Sequence, residues 1–337
     1  MDGRVDGRES EALYGLLFSS AYDPQYVVDQ KSNRFLLVND AFVQLTGYTV
    51  AELTASNRIT LSLILPEDHQ AFEARRIRAD KVPTESYALR MRRKDGEVRD
   101  LDLSVRRLSV GGRALTLGSA RDVTERTRRL SEIQQRAERT QAQQSALLDL
   151  EKTSGEGMDA AFRKVAETSA RILGTERVGI WMLSQDGTEL ACREQFFLST
   201  SSHEAGARLK ALEYPRYFEA LSSIRVLAAD DAVTDPRTME FTEAYLKPLG
   251  ITSMLDVGIR LGGRLVGVTC HEHTGPARSW TPEEQAFASS VADRVGLLLE
   301  IDQRHQAEEL FQQLFEATTE GIVVHQDGRI LFANRNA

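Results

Sequence analysis

Residues 124–152, TERTRRLSEIQQRAERTQAQQSALLDLEK, contain no glycine or proline and are dense in Gln, Glu, Arg and Ala. A stretch of that length and composition favours one long helix, polar on nearly every face. Such a helix cannot make a core by itself. It divides the chain into a segment before it and a segment after it, and each must bury its own apolar residues. The 337 residues are enough for two complete domains. Within the helix, Leu130, Ile133, Ala137, Thr140, Gln144 and Leu147 fall on heptad a/d spacing. Thr140 and Gln144 are polar and Ala137 is small, so the seam is weak, as in a dimeric connector.

The segment before the helix, 10–123, reads as α plus β. Tyr26–Val28 and Arg34–Val38 are short strands around a Lys31-Ser32-Asn33 turn. Asn39-Asp40 caps AFVQLTGY, Thr49 and Glu52 have capping-box spacing, and Pro66-Glu67-Asp68 starts another helix. Three longer strands follow. Tyr87–Arg93 ends at Lys94-Asp95-Gly96, Leu101, Leu103 and Val105 alternate with polar residues, and Gly111-Gly112 turns the chain into Ala114–Val123. This predicts one antiparallel sheet with helices on one face.

The segment after it, 155–300, opens with a helix whose face is Ala161, Val165, Ala166, Ser169 and Ile172 and which stops at Gly174. Val178–Leu183 is a strand turned by Asp186-Gly187. A loop-and-helix region is expected from about Ser199 to Leu249. Leu255, Val257, Ile259 and Leu261 alternate, Gly262-Gly263 makes a hairpin, and Val266, Val268 and Cys270 alternate on the return. Thr281-Pro282-Glu283-Glu284 starts a helix that is expected to run through a 301–312 linker to about Phe315. An internal repeat then appears. Leu17-Phe18, Val27-Val28, Arg34-Phe35-Leu36 and Asn39 recur as Leu314-Phe315, Val323-Val324, Arg329-Ile330-Leu331 and Asn334. Residues 313–337 therefore read as the start of a second copy of the first domain, cut off after two strands, which cannot bury a face alone.

Charge and cysteine usage exclude some classes. A net charge of −8 with no basic block argues against nucleic acid. Cys192 and Cys270 form no CxxC pair, which suits a reducing cytoplasm. The polar start MDGRVDGRES lacks the apolar run of a signal peptide, and residues 1–9 are expected to be disordered. No apolar run approaches a membrane span.

Several blocks carry a family resemblance. VNDAFVQLTGYTVAEL, LPEDHQAF, RRKDGEVRDLDLSV and ARDVTER resemble the successive blocks of a PAS domain, closing on Asp122-Val123-Thr124 where sheet passes to signalling helix. DDAVTDPRTMEF, then LGITSMLDVGIRLGGRLVGVTCHEHTGPARSWTPEEQAFASSVADRVGLLLE, resemble the second half of a bacterial GAF domain. The fold implied is α+β: a PAS-like and a GAF-like antiparallel sheet domain joined by long signalling helices. The resemblance implies a cytoplasmic input module. It would bind a small ligand or partner, pair as a homodimer, and signal to a downstream kinase or cyclase domain in the parent chain. A histidine kinase output is expected, with a diguanylate cyclase or phosphodiesterase, or a ligand-free dimerisation scaffold, as alternatives.

From strand parity and family position, Phe42, Leu45, Leu101, Leu103, Leu255, Val257 and Val268 are the candidate pocket residues. A PAS ligand would lie between the sheet and the helices from Asn39 to Val82. Asp122, Thr124, Leu130, Ile133, Ala137 and Leu147 are the candidate relay. No catalytic residue is expected. His305 lacks the acidic and proline context of a phosphoacceptor, and Glu219-Ala220-Leu221 stands without metal-ligand acids. No cofactor or metal is predicted, and haem or another small ligand is left open. Residues 1–150 hold no Cys for a flavin adduct, and His69 is the one histidine there that could face haem. Cys270 reads as a core residue on the parity of Val266 and Val268, which sets aside bilin attachment. His271 and His273 share a strand face but lack further ligands for zinc.

Overall fold

The computed structural model describes residues 7–77, 84–151, 157–317, 319–326 and 329–336. The chain forms two compact units, Met1–Arg136 and Ala137–Ala337. No described helix is long and apolar enough to cross a membrane.

The first unit opens with helix α1 (Gly7–Ser19), which begins inside the stretch expected to be disordered; residues 1–6 lie outside the described residues. Strands β1 (Gln25–Asp29) and β2 (Arg34–Val38) form the predicted hairpin. Short helices follow: α2 (Asp40–Thr46), α3 (Val50–Ala55), α4 (Arg58–Ser62) and, after a 3-10 turn at Pro66–Asp68, α5 (His69–Ile77). Their ends match the sequence signals. The Asn39 side chain caps α2 through the Phe42 N–H, and Thr49 and Glu52 form a reciprocal capping box on α3. Strands β3 (Thr84–Arg92), β4 (Val98–Val110) and β5 (Arg113–Asp122) make a meander, and β1 pairs with β5. The sheet order is β2-β1-β5-β4-β3, all antiparallel. Gly111 and Gly112 both take positive φ, the backbone that a two-residue hairpin with the right twist needs. One face of the sheet, with Phe35, Leu89, Met91, Leu101 and Leu103, packs against Phe42, Leu53, Leu63 and Ile64 from the helical side.

Helix α6 (Thr124–Glu151) is continuous, as its composition predicted. Residues 152–156, where the expected 124–154 linker ends and the next domain begins, lie outside the described residues.

The second unit is built on a sheet ordered β10-β11-β12-β6-β7-β8, with β9 also on β7. Its strands are β6 (Arg177–Leu183), β7 (Glu189–Phe197), β8 (Ser202–Glu204), β9 (Arg208–Lys210), β10 (Val226–Ala229), β11 (Ile251–Leu261) and β12 (Arg264–Thr274). Strands β8, β9 and β10 fall in the region expected to be loop and helix; at three or four residues each they are too short to set up an alternation. One face is covered by α7 (Met158–Leu173), α10 (Pro282–Ala317) and the end of α6, around Phe162, Val165, Leu255, Val257, Ile259, Val291 and Val295. The other face lies under α8 (Pro215–Ser223) and the turns from 239 that end in the short helix α9 (Lys247–Leu249), around Trp181, Tyr217, Leu227, Phe241, Leu246 and Val268. The repeat segment forms a hairpin, β13 (Val323–Gln326) and β14 (Arg329–Ala333), whose apolar residues are exposed.

Candidate functional site

Strand alternation in the first unit builds a cavity. Leu101, Leu103, Val105 and Arg107 form one row on β4, and Tyr87, Leu89 and Met91 the matching row on β3. Tyr26 and Val28 come from β1, Phe35 from β2, Phe42 from α2 and Phe72 from α5. These residues surround about 420 Å³, within the range of small-ligand sites. Tyr26, Phe35 and Phe42 make an aromatic corner with ring centroids 5.0–5.5 Å apart. Gly118 permits that corner, because a Cβ there would lie 2.1 Å from the Tyr26 ring.

Of the candidate residues in this unit, Phe42, Leu101 and Leu103 line the cavity. Leu45 instead packs half-buried against the core beside it. Val82, the far end of the expected helical wall, lies outside the described residues. His69 is not in the lining. Its Nε2 lies 3.0 Å from the carbonyls of Leu61 and Ile64, so the ring serves the helix turns.

The strand that lines the cavity also holds the start of α6. The Asp100 N–H donates to Thr124 Oγ1 at 2.9 Å, and the Asp100 carbonyl accepts from the Val123 N–H at 2.8 Å. Asp122 Oδ1 accepts from the Thr124 N–H at 2.9 Å and from its hydroxyl at 2.6 Å. Leu101, the residue after Asp100, faces the cavity and pairs in register with Asp122. Along α6, Leu130 and Ile133 are 57% and 65% exposed and Ala137 is exposed. Leu147 is half-buried against the second unit's core, where the deeply buried positions are its neighbours Ala146 and Leu150.

In the second unit the three candidate pocket residues do not come together. Leu255 and Val257 pack under α7 and α10, whereas Val268 lies on the opposite face under α8. A bulge between Ile259 and Arg260 is the cause of a second difference. It sets Val266 on the α10 face, so Val266 does not share the side of Val268 and Cys270.

The α8 face holds polar groups that sequence reading missed. Asp256 and Cys270 are paired in register, as are Arg177 and Glu272, and all four face this side. Tyr217 Oη donates to Asp256 Oδ2 at 2.5 Å and sits 3.6 Å from Cys270 Sγ. Arg177 Nε and Tyr245 Oη donate to Glu272 at 2.7 and 2.8 Å. Asp256 Oδ1 is buried without a partner, and burial pushes its carboxyl up to about 7. Burial also raises Glu272, against the pull of Arg177 and Tyr245. The Cys192 thiol is pushed up to about 12 by burial, with Glu194 adding to it, and burial drives Cys270 well above its ordinary value. Both sulfurs therefore stay protonated and unreactive near neutrality.

His271 lies on the other face. Its Nδ1 donates to the Leu255 carbonyl at 2.8 Å, so Nε2 accepts from the Ser169 hydroxyl at 2.9 Å. Burial lowers its pKa to about 4, which keeps the ring neutral. Among the described residues no group of three or more His, Cys, Asp and Glu side chains could hold a metal ion. His305 is exposed on α10, and Ala220 and Leu221 of the Glu219-Ala220-Leu221 tripeptide are core residues of α8.

A PAS domain model matches residues 24–125, a GAF domain model 157–299, and a second PAS domain model 309–337. None of these matches is to a catalytic domain. No curated protein matches the sequence. Solved structures with partial likeness include the PAS domain of an HTR-like protein from Haloarcula marismortui, at 21% identity and TM-score 0.31, covering 34% of this chain and 93% of that one. The GAF domain of a phosphoenolpyruvate-protein phosphotransferase from Coxiella burnetii matches at 16% identity and TM-score 0.41, covering 50% and 98%. The chromophore-binding domain of a bacteriophytochrome from R. palustris matches at 16% identity and TM-score 0.40, covering 84% and 95%.

Proposed function

We infer that this chain, which carries a PAS domain followed by a GAF domain and so is a sensory module of a signalling protein, takes its signal in the PAS cavity and passes it on through α6. One observation carries the reading: neighbouring residues of β4 do both jobs. Leu101 lines the cavity and Asp100 fastens Val123 and Thr124 at the first turn of the helix. A ligand that prefers one setting of β4 shifts the population toward the matching setting of that turn. The signal then reaches an output domain of the parent protein, for which a histidine kinase is our first choice and a diguanylate cyclase or phosphodiesterase the second. Leu130 and Ile133, exposed at heptad spacing, support pairing of two chains along α6. Two free, buried cysteines suit the cytoplasm.

The test is denaturing mass spectrometry and a thermal-shift panel on the full chain, beside a Leu103→Trp variant whose indole fills the cavity. A small molecule released by, or stabilising, the parent chain but not the variant supports the reading. A panel that stabilises both equally, or neither, refutes it and favours the ligand-free scaffold.

A further inference from the structure

Two of the three charged residues that line the PAS cavity lie on the rows that make its apolar wall. On β4 the row Leu101, Leu103, Val105 continues to Arg107, and on α5 Phe72 is followed one turn later by Arg75. Sheet and helix therefore each present an apolar surface ending in a guanidinium. Lys31, from the β1–β2 turn, also lines the cavity. Glu85 of β3 sits between the two arginines, 3.4 Å from Arg107 and 4.0 Å from Arg75. Arg75 lies over the Tyr87 ring, 4.6 Å from its centroid. Among the described lining residues there is no carboxylate, although the chain as a whole is acidic at −8.

We propose that the ligand of this cavity is an organic anion with an apolar body, a carboxylate on an acyl or aryl group, whose head is taken by Arg75 and Arg107. This rests on the reading of the cavity as the sensory site and gives its ligand class. The apolar walls remove the body from water, at about 25 cal/mol per Å² of apolar surface buried. A guanidinium binds a carboxylate by two parallel hydrogen bonds, which an ammonium or hydroxyl on the same body cannot offer. Arg107 is only 12% exposed, so its charge acts at reduced screening. Glu85 holds the two guanidinium groups near each other, by a hydrogen bond from Arg107 and a longer ion pair to Arg75.

Calorimetric titration of the full chain tests this with matched probes: decanoate against decanol and decylamine, and indole-3-acetate against tryptamine. The expected order is carboxylate over alcohol by at least about tenfold in Kd, with the amine weakest. Arg75→Gln and Arg107→Gln should each cut that preference and leave alcohol binding in place. Two variants are used because Arg107 is the more buried, and circular dichroism reports whether each is folded. If alcohol or amine binds as well as the carboxylate, the anion class is wrong while the cavity remains a ligand site. If no probe of any charge binds, both the class and the sensory reading of the cavity fall.

Discussion

Asp256 is a buried acid whose second carboxylate oxygen has no partner. Its raised pKa, about 7 against the usual 3.8, means the folded state holds a proton that the unfolded chain has released. Stability from this residue is present below about pH 3.8 and declines as pH rises through 7. His271 acts in the opposite sense. Its pKa of about 4 lies below the usual 6.5, so its contribution is present above pH 6.5 and is lost as pH falls through 4. Asp256→Asn should therefore gain stability relative to the parent as pH is raised from about 5 to 8, read by urea unfolding at each pH. An unchanged difference across that range would show that Asp256 does not titrate there. In the PAS unit, Gly118→Ala sets a methyl against the Tyr26 ring, 2.1 Å from Cζ. It should cost about 1–3 kcal/mol and lower occupancy of the cavity, read by urea unfolding and ligand titration. An unperturbed protein would mean that Tyr26 swings aside freely.

At the scale of elements, the two Asn residues of the sequence repeat do the same work. Asn39 Oδ1 accepts from the N–H groups of Gln25 and Phe42, and its amide donates to the carbonyls of Ala21 and Asp23. Asn334 Oδ1 accepts from the Ile322 N–H, and its amide donates to Phe315 and Glu320. Each ties the end of a hairpin to the chain leading into it. Asn39→Ala should cost about 2 kcal/mol or more, because it leaves buried backbone groups unpaired. A loss under about 0.5 kcal/mol in urea unfolding would contradict that role. Such local chemistry was legible in advance: the caps at Asn39 and Thr49, the glycine hairpins and the unbroken α6 all follow from neighbouring residues. The buried row Leu101–Leu103 was legible because β4 alternates there without interruption. Leu255 and Val257 lie on the face opposite Val268, which the sequence could not show. β11 is buried on both faces, so alternation gives the parity of a side chain but not which layer covers it. The pairing of Asp256 with Tyr217 joins residues far apart in sequence, and no local pattern encodes it.

For the molecule as a whole, signalling by the proposed route needs a ligand in the PAS cavity to be felt in the helix that leads on to the GAF domain. Leu130 and Ile133 are exposed in the single chain, and pairing along them is expected. Light scattering should give a dimer for the parent and a smaller species for the double change Leu130→Glu with Ile133→Glu. A dimer unaffected by both would move the interface off α6. In the proposed relay, Asp100, Asp122 and Thr124 are the residues that hold the first turn of α6. The direct measurement is hydrogen exchange of residues 124–136, with and without a ligand that saturates the cavity, in the parent chain and in Thr124→Val. Occupancy should change protection of this helical stretch in the parent, and the change should shrink in Thr124→Val while cavity protection stays. A ligand response confined to the cavity-lining strands, with α6 unaltered, would contradict it.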